Sequence, residues 1–185
     1  MKTQLILLLF LCNTIYSQKN YFELRTFKKS EIPSIEKKFN SKKYKERQKR
    51  MYTGEESNLS QPICYARNAT DNLPAANVQY IYSEKDRLVK SIIFYWKLNI
   101  YKKLSQGSKV EKYNIAFDNL IKSLSTILGD PNPNQGNLTE IESPVDDDKT
   151  LNYERKVIWK INSKTITTFI VWAEGHGQAM STTIK

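Results

Sequence analysis

The chain has 185 residues and a formal net charge of +10, with one histidine and two cysteines. That composition excludes the usual four-ligand zinc site of histidine and cysteine. No stretch approaches the roughly 20 apolar residues needed to span a bilayer.

The chain opens M-K-T-Q-L-I-L-L-L-F-L-C-N-T-I-Y-S-Q. A basic Lys2, an unbroken apolar run from Leu5 to Leu11 and a small Ser17 are the order of a secretory signal peptide over residues 1–17. Cys12 is preceded by Leu11 rather than a small residue, which speaks against lipidation. Cleavage after Ser17 or Gln18 removes Cys12 and leaves Cys64 alone, so no internal disulfide is expected. The exported protein, periplasmic or extracellular, must therefore rest on a packed core.

Residues 18–50 are expected to form a basic N-terminal segment, partly helical. Between 28 and 50 stand ten basic and three acidic residues, a local charge of +7. Ile32, Ile35 and Phe39 have helical spacing. Such a cluster attracts an acidic protein or an anionic surface, and the candidate binding residues are Lys37, Lys38, Lys42, Lys43, Lys45, Arg47, Lys49 and Arg50. The plainer reading is a solvated helix with lysine stems lying on the surface. An exported chain without a recognition motif is not expected to bind nucleic acid.

Residues 51–185 are expected to form one α+β domain. Residues 51–77 read as a connection, with room for a short strand at 63–66. Strands follow at 77–82 and 88–101, the latter placing Ile92, Phe94, Trp96, Leu98 and Ile100 on one face. Ser108 and Glu111 fit a capping box that opens a helix. Tyr113, Ala116, Phe117, Leu120, Ile121, Leu124, Ile127 and Leu128 give it a broad apolar stripe, and Gly129 with Pro131 ends it. Strands at 156–161, 165–172 and 178–184 complete the pattern, the first two joined by a tight hairpin. The expectation is a two-layer sandwich of about five antiparallel strands, in ββαβββ order, covered by one main helix.

Four features bear on chemistry. Gly175-His176-Gly177 reads as a turn, since His176 lacks a nucleophile or metal partner in any known spacing. Ser34-Ile35-Glu36-Lys37 matches Ser-x-x-Lys by chance, without the companion motifs. Asp130, Asn132, Asn134, Gly136 and Glu142 are similar to a calcium loop, but one residue is inserted and two prolines interrupt it. Tyr95, Lys97 and Tyr101 offer a stacking surface on the mixed face of the second strand. No catalytic residue, metal or cofactor is assigned. The leading expectation is a secreted, non-catalytic domain that binds a macromolecule in the envelope or outside the cell. The alternatives are a small hydrolase-like enzyme using Glu174 or Asp146–Asp148, a periplasmic inhibitor or immunity-type protein, and a structural envelope component.

Overall fold

A computed structural model describes residues 21–46, 54–97, 106–141, 152–173 and 179–185. A 3-10 turn, Lys29–Glu31, leads into helix α1, Ile32–Lys37. Pro33 suits the first turn of that helix, and the Glu31 carboxylate accepts the Lys28 N–H at 2.9 Å. Asn40, at φ 49°, turns the chain away. Four strands follow: β1 (Lys42–Tyr44), β2 (Ile63–Arg67), β3 (Ala76–Tyr82) and β4 (Val89–Trp96). A second 3-10 turn, Gly54–Asn58, lies between β1 and β2. Helix α2 spans Gln106–Leu128, and β5 (Thr139–Ile141), β6 (Asn152–Ile161), β7 (Lys164–Ala173) and β8 (Ala179–Ile184) complete the chain.

All eight strands belong to one antiparallel sheet in the order β1-β2-β3-β4-β8-β7-β6-β5. The layout repeats itself: each helix precedes a four-stranded meander, and the meanders join where β4 pairs with β8. The α+β class and the antiparallel sheet agree with the sequence reading. The count of five strands and the ββαβββ order do not. The three short strands account for the difference. Lys42-Lys43-Tyr44 and Thr139-Glu140-Ile141 are too short to show alternation, and the short strand allowed at 63–66 forms as Ile63–Arg67 but stood outside the count of five. Helix α2 starts at Gln106, so Ser108 lies inside it rather than capping it.

One face of the sheet carries the core in continuous rows. Tyr80, Ile92, Ile184, Ile166 and Trp159 are successive cross-strand partners, as are Val78, Phe94, Thr182, Thr168 and Val157. All ten are buried. The two threonines satisfy their hydroxyls on each other at 2.8 Å, and Trp96 Nε1 donates to Thr182 Oγ1 at 2.9 Å. Helix α2 covers the second half of this face with Phe117, Leu120 and Leu124, all buried. Residues 21–37 cover the first half: Tyr21, Phe22, Phe27, Ile32 and Ile35 belong to the same core as β3 and β4.

The segment that resembles a calcium loop has a structural use. The Asn132 and Gly136 N–H groups each donate at 2.9 Å to the Ile158 and Lys156 carbonyls, and the Gln135 side chain accepts from Ile158 N. This loop and β5 together cover the outer edge of β6. Glu142 lies outside the described residues. Gly136 has φ +86°, and a Cβ there would stand 3.0 Å from Val157 Cγ2. Gly129, at φ +83°, has open space around it. Gly136→Ala is therefore expected to lower stability by about 2 kcal/mol, against about 1 kcal/mol for Gly129→Ala. Urea denaturation midpoints of the two variants check this; equal losses would remove the steric part of the argument.

Candidate functional site

The N-terminal turn is stitched to the β3–β4 hairpin. Lys29 N donates to Arg87 O at 2.8 Å, and Val89 N donates to Phe27 O at 3.0 Å. Arg87 holds φ 59° in that hairpin. Helix α1 is fixed from beneath by a buried ion pair. Arg67 on β2 donates through Nε and one terminal nitrogen to the Glu36 carboxylate at 2.6–3.1 Å. Its other terminal nitrogen donates to Tyr21 O at 2.8 Å. Tyr80 also donates to Glu36, and the guanidinium lies 3.8 Å from the centre of the Phe39 ring. Both charged side chains are 1% exposed. Desolvation opposes the Arg67 charge, but its hydrogen bond to Glu36 and the neighbouring groups outweigh it and raise its pKa. Burial likewise pushes the Tyr80 phenol up. Closed to solvent, this cluster is a positioning device rather than a reaction centre.

What it positions is a groove of about 560 Å³ at the corner between α1, β1, β2 and the hairpin. Ile32, Pro33, Ile63 and Tyr65 supply the apolar part of its lining. Among the described residues of its lining, Lys28, Lys29, Lys43 and Arg87 are cationic and Asp86 is the one acidic group. Lys43 arrives there because β1 pairs it with Tyr65. The charges are not equally engaged. Asp86 is held by Lys90 at 2.6 Å, and that bond with the Leu88 N–H lowers its pKa to about 2. Arg87 pairs with Glu84. Lys29 donates to the neutral Tyr82 hydroxyl at 2.8 Å, with its charge 4.4 Å from the ring centre. Lys28 and Lys43 are exposed and have no carboxylate within ion-pair distance among the described residues.

A second cavity, of about 580 Å³, lies beside β1 and is lined by Lys43, Tyr44, Lys45, Glu46, Gln61, Pro62, Ile63 and Cys64. Cys64 is buried and forms no disulfide among the described residues, and its thiol lies 3.6 Å from Glu46 Oε2. Gln79 donates to the same carboxylate. Burial, followed by the nearby Cys64 and Glu46, pushes the Tyr44 phenol up to about 12.

Of the eight binding residues expected from sequence, five are described, and among these only Lys43 lines the first groove. Lys42 and Lys45 are exposed on or beside β1, and Lys37 and Lys38 are exposed at the end of α1. Arg47, Lys49 and Arg50 lie outside the described residues, as do Glu174, His176, Asp146–Asp148 and Tyr101. The structure adds Lys28, Lys29 and Arg87. The first two sit in the basic window, but Arg87 is far away in sequence and only the hairpin's return brings it near. Among the described residues no three His, Cys, Asp or Glu side chains gather as a metal site would require, and no helix is long and apolar enough to cross a membrane. Comparison with protein-family models, curated proteins and solved structures finds no match to this chain.

Proposed function

We propose that this is an exported, non-catalytic binding domain that holds an acidic part of a macromolecular partner in the groove beside α1. The observation that carries the reading is the pairing of an apolar lining with two exposed lysines, Lys28 and Lys43, that have no carboxylate partner among the described residues. Apolar surface beside uncompensated charge of one sign suits a ligand that is both anionic and partly apolar. The signal-peptide order of residues 1–17 supports an encounter in the envelope or outside the cell.

The test is binding of labelled polyglutamate to the wild type and to a Lys28→Glu/Lys43→Glu variant, followed by fluorescence anisotropy as salt is raised. Both side chains are exposed, so the fold is expected to survive the exchange. Affinity is expected to fall by at least about tenfold in the variant, and wild-type binding to weaken with salt. Equal affinity for both proteins, or no binding by the wild type at low salt, would overturn the reading.

A further inference from the structure

We infer that the partner binds as an acidic β-strand laid along the outer edge of β1, with its side chains alternating between the two cavities beside that strand. This deepens the groove reading and rests on it. Both terminal strands of the sheet, β1 and β5, are three residues long and have no further strand paired with them among the described residues. What sets the β1 end apart is the pair of cavities beside it.

The first cavity, of about 560 Å³, is lined by Ile63 and Tyr65 on the face that carries α1, whereas the second, of about 580 Å³, adds Tyr44 and Cys64, cross-strand partners that point to the opposite face; Lys43 and Ile63 border both. An added strand sends successive side chains to opposite faces, so such a segment can offer alternate residues to each cavity. Main-chain hydrogen bonds then supply affinity and the cavities supply selectivity.

Charge decides what kind of strand fits. Lys42, Lys43 and Lys45 line this edge, and Lys28, Lys29 and Arg87 stand at the first groove. Asp86 is already paired with Lys90, and Glu46, bonded to the neutral Gln79, keeps its charge in the second cavity, so the carboxylates of an added strand belong on the side of the first groove. Edge lysines deter pairing with another strand of like charge. A second copy of this chain would bring its own Lys42 and Lys43 against these, so self-pairing is disfavoured. A strand with carboxylates at alternate positions meets no such penalty.

The experiment is selection of short random displayed peptides on the purified full-length protein, with depletion on the Lys28→Glu/Lys43→Glu variant. The winning peptide is then made plain, and in two N-methylated forms that block one or the other alternate set of amides. Acidic residues are expected at every second position. One N-methylated form should bind about tenfold or more weakly, and the other within about twofold of the plain peptide. If both forms bind like the plain peptide, or both fail equally, strand addition is wrong, while the groove reading survives provided the charge-reversed variant still binds more weakly. If no acidic peptide is enriched, the peptide proposal fails. Binding of phosphatidylglycerol vesicles that depends on Lys28 and Lys43 would then identify a lipid surface as the ligand instead.

Discussion

Arg67→Ala is expected to lower the unfolding free energy by about 3–5 kcal/mol, a large share of the roughly 5–15 kcal/mol that holds a typical domain together. Removing the guanidinium leaves the Glu36 carboxylate, 1% exposed, without its counter-charge. It also deprives the Tyr21 carbonyl of a donor and opens space between the Phe39, Tyr21 and Phe94 rings. The cost is that of an orphaned charge, which exceeds the net contribution of the pair. A Glu36→Leu/Arg67→Met variant should therefore be more stable than Arg67→Ala alone, because no buried charge is left behind. Urea denaturation of the three proteins measures both. A loss under about 1 kcal/mol for Arg67→Ala would mean that the pair is hydrated and that α1 is held by its apolar side chains.

Trp159→Ala is expected to cost about 3–5 kcal/mol. Trp159 is 1% exposed, faces Ile166 across the β6–β7 ladder and belongs to the core cluster with Phe117, Leu120 and Leu124. Its Nε1 also donates at 2.9 Å to the carbonyl of Gly129, just beyond the end of α2. Trp159→Phe separates the contributions, since it keeps most of the packing and loses the hydrogen bond, for about 1–2 kcal/mol. In both variants the amides of the last turn of α2 should exchange faster with deuterium than those of its middle. Unchanged exchange there would show that the bond does not hold the helix end.

The residues that gave the core away were those whose periodicity is long enough to read. In the α2 stripe from Tyr113 to Leu128, Phe117, Leu120 and Leu124 are buried and the other five residues are half-buried against the core, and the alternation in Val89–Trp96 buries Val89, Ile92, Phe94 and Trp96. The role of residues 21–37 was hidden by their charge. Lysines surround Ile32 and Ile35, so the window reads as solvated although its apolar residues are core. For the same reason a deletion of residues 18–50 would remove Tyr21, Phe22 and Phe27 along with the lysines, and point charge reversals are the sounder test.

The groove was legible only as a basic window. Its geometry depends on pairings distant in sequence: Lys43 with Tyr65 across β1 and β2, and Lys29 with Arg87 through the backbone. No local pattern encodes either. The buried partnership of Glu36 and Arg67 was equally invisible, since an isolated Glu and Arg read as surface residues until the fold brings them together.

The central claim is that an acidic ligand occupies the corner between α1, β1 and the β3–β4 hairpin. The most direct measurement is a nitrogen-15 amide spectrum of the protein titrated with polyglutamate at low salt. The account predicts that the shifts gather on Lys28, Lys29, Ile32, Lys43, Ile63, Tyr65 and Arg87. Shifts confined to Lys37 and Lys38, or to the Glu154, Lys156 and Thr167 side of the sheet, would contradict it.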